Sequence, residues 1–183
     1  MKKRTEREKA VPVIMRSRND IAYIQATLEQ LTTQSIPYEL IVFDNDSTDG
    51  TREIAQEYAH QLHRVPDGTY VPGKVLNRAM EAAGAEAEFV VFLNSDCTPL
   101  NSLWLEELLE GFKVDPAVGA VFGRQVPRPD CLPLFAKDTE DTFGDGSRQQ
   151  YWRHCFSMAS SAVRRSCWEQ QPFNEAIQYS EDI

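Results

Sequence analysis

The sequence predicts an α/β fold in which helices cover both faces of a mostly parallel sheet. The clearest observation is a run of five apolar residues at 89–93, since a strand without apolar–polar alternation is buried on both faces. A second observation is that a strand, a polar loop and a helix follow one another three times. Such units pair their strands in parallel through right-handed crossovers. The polar loops after these strands should therefore meet along one edge of the sheet.

The first strand is predicted at residues 11–15 and leads into a polar loop at 16–20. Apolar residues at helical spacing then predict a helix that ends near Thr33, with Asn19 or Asp20 as its N-cap. The apolar residues of this helix are Ile21, Ile24, Leu28 and Leu31.

A second buried strand is predicted at 39–43, and an acidic loop with three carboxylates follows it at 44–50. Helical spacing of Ile54, Tyr58 and Leu62 predicts the next helix, begun by Thr48 or Asp49. For Asp49 we favour a capping role over a functional one, whereas Asp44, at the strand end, favours function. His60 and His63 are placed at the end of this helix, where stabilisation by the helix dipole is favoured over metal ligation.

The remaining elements follow from the same patterns. They are a loop at 65–73, a helix through 75–83 that closes near Gly84, the buried strand at 89–93, a helix through 105–112, a short strand at 118–122, an irregular segment at 124–146, a partly extended stretch at 151–163 and a short helix at 164–170.

Composition fits one globular domain of 183 residues, because 42% hydrophobic and 26% charged residues are ordinary for such a domain. Nineteen lysines and arginines against 28 aspartates and glutamates give a net charge of −9, which argues against a nucleic-acid partner. The four cysteines form no C-x-x-C pair, so neither a zinc site nor a disulfide framework is expected.

Residues 1–10 are predicted to form a flexible N-terminal tail. No apolar stretch follows the basic start Met1–Arg4, so the pattern predicts a cytoplasmic protein without a signal peptide or membrane span. A basic start is suited to peripheral contact with the inner face of an anionic membrane, although a solvated terminus is the simpler interpretation.

The sheet edge is the predicted site. Arg16, Asp44, Asp46 and Asp96 all follow strands, so they should line one cleft at the carboxyl edge, where open α/β sheets bind ligands. There one carboxylate can accept a hydrogen bond from a base or sugar while another holds a hard cation. Each of these residues alone is a weak indication, since acidic side chains also cap helices.

Three segments in this order resemble the nucleotide-binding half of family 2 glycosyltransferases, and an ordered set is more specific than any single motif. The segments are Val13–Asp20, Glu39–Thr51 and Phe92–Asp96, within a resemblance that spans 11–182. The resemblance implies the GT-A fold, a Rossmann-like three-layer sandwich, as a single domain at 11–183. Residues 11–100 would form the nucleotide-sugar-binding half, and residues 101–183 the acceptor-side half, which ends at the acidic motif.

By position, the resemblance also implies which residues contact the nucleotide sugar. They are Arg16, Arg18, Asn19, Asp44, Asn45, Lys74, Asn77, Asn94 and Ser95. Gly73, Lys74 and Asn77 match a glycine-to-asparagine segment of the family, and approach to a phosphate and plain solvation are equally favoured for Lys74. Asn94 replaces the first aspartate of the D-x-D motif, which leaves Asp96 as the main carboxylate ligand for Mg²⁺ or Mn²⁺.

The second half carries the implied acceptor side and the implied base. Phe156–Arg165 is similar to the stretch that lies beside the acceptor, and Phe173–Glu175 matches an acidic motif of the family. Glu181 and Asp182 match the motif that usually contains the catalytic base, so Asp182 would take the proton of the acceptor hydroxyl in an inverting displacement. A solvated acid is the competing interpretation of Asp182.

The expected function is therefore an inverting, metal-assisted hexosyl- or deoxyhexosyltransferase of polysaccharide biosynthesis. It would use a UDP-, dTDP- or GDP-sugar and a glycan or lipid-linked acceptor. The alternative is a catalytically silent nucleotide-sugar-binding module or an inactive fragment, since family members continue beyond the acidic motif. A nucleotidyltransferase is disfavoured because the loop Arg16–Arg18 has no glycine. Oligomeric state is not predicted.

Overall fold

The computed structural model describes residues 9–144 and 156–178, and within them six strands form one sheet. The strands are β1 (Val11–Ser17), β2 (Tyr38–Asp44), β3 (Gln61–Arg64), β4 (Phe89–Asn94), β5 (Ala120–Phe122) and β6 (Ser160–Arg164). Their order is β3-β2-β1-β4-β6-β5. β3, β2, β1 and β4 are parallel, whereas β6 runs antiparallel between β4 and β5. The predicted α/β fold with a mostly parallel sheet is confirmed.

Helices cover both faces of this sheet. They are α1 (Ile24–Leu31), α2 (Thr51–Tyr58), α3 (Pro72–Ala82), α4 (Trp104–Glu110), α5 (Pro133–Phe143) and α6 (Arg165–Gln170), with a 3-10 turn at Gly111–Lys113. Alternate residues of β1 point to opposite faces, so Val13 and Met15 pack with α1, α2 and α4, and Ile14 packs with α3. No helix in the described ranges has the length and apolar character needed to cross a bilayer.

The first helix begins later than predicted. α1 starts at Ile24, and the backbone carbonyl of Asp20 accepts hydrogen bonds from the amides of Tyr23 and Ile24. Neither Asn19 nor Asp20 caps α1 with its side chain, because both side chains bond to neighbouring loops instead. Ile21 is 43% exposed and so is not part of the core.

The prediction that His60 and His63 stand at a helix end is wrong. α2 ends at Tyr58, and Leu62 belongs to β3 rather than to the helix. His60 Nδ1 accepts a hydrogen bond from the Leu40 amide at 3.0 Å. His63 stacks on Phe43 of β2, with ring centroids 4.6 Å apart. Both histidines therefore attach the edge strand β3 to β2.

The segment 124–146 was predicted to be irregular, which is wrong for 133–143, where α5 lies. Pro133 stands in the first turn of α5, a position that tolerates its missing N–H. α5 buries none of its residues, and Leu134 and Phe135 are 68% and 60% exposed. A helix without a buried stripe gives no periodic signal in the sequence. Of the stretch predicted as partly extended, residues 156–163 are described, and β6 begins there at Ser160.

Candidate functional site

Loops that follow β1, β2 and β4 meet at the carboxyl edge of the sheet. Strand register places Ser17 opposite Asp44 and Arg16 opposite Asn94. β1 therefore lies between the loop that follows Asp44 and the loop that contains Asp96. The predicted convergence of these segments on one rim is present in the structure.

Arg16, near the end of β1, bonds to two other segments at the rim. Its guanidinium donates to Asn94 Oδ1 at 3.3 Å and to the Tyr70 hydroxyl at 3.2 Å. Tyr70 lies in the loop between β3 and α3, so Arg16 joins that loop to the end of β4. The Asn94 oxygen is thus a hydrogen-bond acceptor for an arginine, and the amide adds no negative charge to the rim.

Asp44 is fully buried and organises the loop that follows it. Its Oδ1 accepts from the hydroxyls of Ser17 and Ser47 at 3.2 and 2.5 Å, and its Oδ2 accepts from the Ser47 amide at 3.1 Å. A buried carboxylate needs such hydrogen bonds. A nucleotide base could reach the Asp44 carboxylate only if the loop at Ser47 moves.

Asn45 supplies an unusual group beside Asp44. Its side chain is 4% exposed, and Oδ1 has no hydrogen-bond partner among the described residues. A buried acceptor without a partner costs about 1–3 kcal/mol. A ligand N–H or O–H could satisfy the Asn45 oxygen if the loop that covers it opens.

Asn19, Asp20 and Ser95 fasten the three loops to one another. Asn19, at φ 55°, accepts from the Thr48 amide through Oδ1 at 2.9 Å. Asp20 Oδ2 accepts from the Ser95 hydroxyl at 2.5 Å, and that hydroxyl also lies 3.1 Å from the Arg16 carbonyl. The side-chain groups of Asn19 and Ser95 that the sequence assigned to the nucleotide thus bond within the protein.

Asp46 belongs to an ion-pair network on the same rim. Arg64 binds both of its carboxylate oxygens, and the Asp67 amide donates to Oδ2 at 2.9 Å. These bonds, that to Arg64 foremost, lower the pKa of Asp46 to about 2. Arg18 in turn donates to Asp67 at 3.0 Å. Sequence reasoning missed Arg64 because it lies on a short polar strand that carries no apolar pattern.

Asp96 lies two residues after the end of β4 and is exposed on the rim. No group of three or more histidines, cysteines or acids that could hold a metal occurs within 9–144 and 156–178. Magnesium-type sites often use one or two carboxylates together with substrate phosphates and water, and Asp96 fits that donor set. Burial raises the pKa of the neighbouring Cys97 thiol to about 11, which keeps this thiol protonated at neutral pH.

A cavity of about 1010 Å³ opens beside Asp96. Its walls include Asn94, Asp96, Trp104, Arg124, Arg128 and Ser160. Trp104 Nε1 donates to the Ser160 hydroxyl at 2.9 Å, which fixes the indole in the wall. Arg128 lies 4.0 Å over the Tyr23 ring and donates to the Asp96 carbonyl at 3.4 Å, which holds the loop after β5 against the rim. The cavity is large enough for a sugar-sized ligand.

The other residues assigned from sequence lie on α3 or near the C-terminus. Lys74 is exposed in the first turn of α3 and has no hydrogen bond or ion pair to any described residue. The Asn77 amide bonds to Trp168, Phe173 and Glu175 instead of pointing to an open cleft. Glu181 and Asp182 lie outside the described residues.

Comparison with known proteins gives one consistent match. The family model described as glycosyl transferase family 2 matches residues 13–169. The O-antigen chain rhamnosyltransferase WbaN of Salmonella anatum is 41% identical over 98 residues, which cover 54% of this chain and 30% of that protein. Glycosyltransferase AglE of Haloferax volcanii is 32% identical over 119 residues, which cover 61% of this chain and 39% of that protein. The chain thus spans less than half the length of these relatives.

Solved structures show the same fold. The mannosyltransferase PcManGT from Pyrobaculum calidifontis, in complex with GDP-Man and Mn²⁺, has a TM-score of 0.67 at 22% identity and covers 97% of this chain and 51% of its own. S. aureus TarS in complex with UDP has a TM-score of 0.66 at 22% identity, with 95% of this chain and 53% of its own covered. The GT-A fold predicted from the sequence is confirmed by this likeness.

Proposed function

Because this chain belongs to glycosyl transferase family 2, we propose that it transfers a sugar from a nucleotide diphosphate sugar to a hydroxyl group of a glycan or lipid-linked acceptor. The observation that carries the proposal is the meeting of the loops after β1, β2 and β4 at one rim, with exposed Asp96 beside a sugar-sized cavity. The names of the relatives, which include rhamnosyltransferases, support the same class of reaction.

In this proposal the nucleoside lies over the loops after β1 and β2. Arg18, Asn19, Asp44 and Asn45 surround that position, and the unpartnered Asn45 Oδ1 is suited to accept from a ring N–H or a ribose hydroxyl. The bound UDP of TarS and the bound GDP-Man of PcManGT support a nucleotide donor without deciding its base. UDP-, dTDP- and GDP-sugars are the candidates.

The diphosphate would lie toward β4, where Asp96, Asn94 and Ser95 follow the strand. Asp96, with Asn94 as a neutral oxygen donor, would hold Mg²⁺ or Mn²⁺, which neutralises the charge that develops on the leaving group. The Mn²⁺ in the PcManGT complex supports a divalent ion. Lys74 is exposed near this edge and can approach a phosphate as a point charge.

The acceptor would enter the cavity beside Trp104 and Ser160, and inversion would require its hydroxyl to lie on the side of the sugar opposite the diphosphate. Asp182, with Glu181 next to it, would take the hydroxyl proton as general base, a contribution of roughly 10²–10⁴-fold. The acceptor oxygen then bonds to the anomeric carbon while the bond from that carbon to the diphosphate oxygen breaks. This single displacement inverts the configuration.

Residues 11–183 would act as one GT-A domain, with the nucleotide side formed before residue 100. An acceptor of polysaccharide biosynthesis would be met in the cytoplasm at the inner face of the membrane, where the basic start Met1–Arg4 favours peripheral contact.

A thermal-shift panel with UDP, dTDP, GDP and uridine, each with and without Mn²⁺, tests donor binding, and release of nucleotide from the matching sugar donor tests chemistry. We expect one diphosphate to raise the Tm more with Mn²⁺ than without it, and Mn²⁺-dependent donor hydrolysis to follow. Stabilisation without hydrolysis or transfer would favour the silent nucleotide-binding module. Absence of any nucleotide effect would overturn both.

A further inference from the structure

We propose that Asn77 is a positioning residue, which holds the acidic segment Phe173–Glu175 against α3 and does not contact the nucleotide. Its catalytic consequence rests on the proposed function above. Its structural part, the attachment of this segment to α3, stands on contacts between described residues.

All four hydrogen-bonding positions of the Asn77 amide have protein partners. Nδ2 donates to the Phe173 carbonyl and to Glu175 Oε1, both at 3.0 Å. Oδ1 accepts from Trp168 Nε1 at 2.8 Å and from the Phe173 amide at 3.0 Å. An asparagine amide offers two donors and two acceptor lone pairs, so this set is complete. The amide bonds to both polar backbone groups of Phe173, as a neighbouring strand would.

These partners also fix the orientation of the amide. A backbone N–H can only donate and a backbone carbonyl can only accept, so the oxygen of Asn77 must face the Phe173 amide and its nitrogen must face the Phe173 carbonyl. The indole N–H of Trp168 requires the same oxygen. No group of the side chain is left for a base or a phosphate.

Gly73, one turn before Asn77 on the same face of α3, allows the close approach of the segment. A Cβ at Gly73 would lie 2.2 Å from the Asn174 carbonyl oxygen and 2.7 Å from its carbon. Such contacts are with backbone, which cannot rotate away. The Phe173 ring adds a third attachment through an edge-to-face contact with Phe92 of β4, at 6.3 Å between centroids.

The attachment lies near the carboxyl edge of the sheet. α3 follows parallel strand β3 through the loop at 65–71, so its first turn starts at the carboxyl edge, where the site lies. Apart from half-buried Phe173, residues 171–178 are exposed. Such a segment depends on few contacts and opens easily when they are removed.

Glu181 and Asp182 follow this segment in the sequence. A general base acts only within hydrogen-bond reach of the proton it takes, so a loosened segment should slow turnover. The nucleotide would bind at the loops after β1 and β2, which Asn77 does not touch. Loss of the Asn77 amide should therefore lower kcat and leave nucleotide affinity unchanged.

Hydrogen exchange of residues 171–178 tests the attachment without requiring a ligand. We expect exchange there to be at least about tenfold faster in Asn77→Ala and in Gly73→Ala, because each removes part of the attachment. Glu81→Ala, at an exposed position of the same helix, is the matched control and should leave it unchanged. Gly73→Ala disturbs the segment without altering the amide, so agreement between the two variants ties the effect to the segment.

Exchanging the amide of Asn77 and the carboxylate of Glu175 tests whether their contact can be restored in the opposite direction. Asn77→Asp removes both donations and brings a second carboxylate toward Glu175, so it should open the segment as Asn77→Ala does. Adding Glu175→Gln to Asn77→Asp restores a donor–acceptor pair across the same contact and should recover part of the protection. General loss of stability would not be corrected in this way.

Kinetics then separate positioning from nucleotide binding. We expect kcat to fall about tenfold or more in Asn77→Ala and Gly73→Ala, with the donor KM and the nucleotide Kd within about twofold of the unchanged protein. Unchanged exchange over 171–178, or a weakened nucleotide Kd with unchanged kcat, would overturn the proposal. If the unchanged protein binds no nucleotide, the proposed function fails, and hydrogen exchange still decides whether Asn77 positions the segment.

Discussion

Polar side chains at the rim of this sheet bond mainly to one another. Asp44, Asn19 and Ser95 are engaged with neighbouring loops, which builds a rim whose shape is set before any ligand arrives. Such mutual bonding lowers the ordering cost of binding. The Asn45 oxygen is different, because it is buried and lacks a partner among the described residues.

Asn45→Ala should therefore separate stability from binding. Removing an unsatisfied buried acceptor should not lower the free energy of unfolding and should raise it by up to about 1–3 kcal/mol, whereas losing its bond to a ligand should weaken nucleotide binding by about fivefold or more. Denaturant unfolding and titration with the nucleotide chosen by the thermal-shift panel measure the two quantities. A variant that is strongly destabilised and still binds fully would contradict the role given to Asn45.

The ionised carboxylate of Asp46 is expected to make a contribution to stability that is lost at low pH. Its pKa is lowered from 3.8 to about 2 by its bonds with Arg64 and the Asp67 amide, so its ionised form favours the folded state. The contribution is present above pH 3.8 and disappears as the pH falls through about 2. The difference in urea midpoint between the unchanged protein and Asp46→Asn should shrink across this range. Asparagine suits the positive φ of 48° at this position, so backbone strain should not obscure the comparison.

At the scale of elements, the sequence predicts well those strands that are buried on both faces. β1, β2 and β4 contain unbroken apolar runs, and the polar residues that end them mark the rim. β3 has the sequence Gln61–Arg64 and was missed, because its one apolar residue, Leu62, also continues a helical spacing. β3 is held by partners on β2 that lie about 20 residues away, and periodicity does not contain that information.

The features of the site also divide into those that the sequence predicts and those that it does not. Parallel pairing could be expected from three strand–helix units, so the common rim of Asp44 and Asp96 was predictable. The ion pair of Asp46 with Arg64 and the complete bonding of Asn77 were not, since each depends on a segment that is placed only by tertiary packing. A residue type at a matching position can indicate a site without indicating which neighbour its side chain binds.

Protonation of His63 is expected to weaken the attachment of β3 to β2. Burial foremost, with the positive charge of Arg78, lowers its pKa below 6.5, so folding favours the neutral ring stacked on Phe43. Stability from this group is present above pH 6.5 and decreases as the pH falls toward the lower pKa of the folded state. His63→Phe keeps a ring stacked on Phe43 but cannot be protonated. It should therefore remove the loss of stability that is due to His63 between about pH 7.5 and about pH 5.5. Urea midpoints at several pH values measure it, and an identical pH slope in both proteins would contradict the assignment.

At the scale of the whole molecule, charge is the main constraint on the proposed donor. The chain carries a net charge of −9, and a nucleoside diphosphate is itself an anion. If this donor binds, local cations must offset the repulsion, and Arg16 and Lys74 are arginine and lysine side chains of the proposed site that could do so. Asp96 adds another negative charge at the point where the diphosphate would lie, which is understandable if a divalent cation is shared between them.

Asp96→Asn tests this account with Glu57→Gln, an exposed acid on α2, as the control of equal charge change. If Asp96 holds the ion, the variant should lose most of the Mn²⁺-dependent part of the nucleotide-induced rise in Tm and keep the part seen without metal, because the nucleoside contacts come from other loops. If Asp96 only contributes to the net charge, both variants should bind the nucleotide somewhat better without metal and respond to Mn²⁺ alike. The two variants have the same net charge, so a difference between them must come from the position of the carboxylate on the rim.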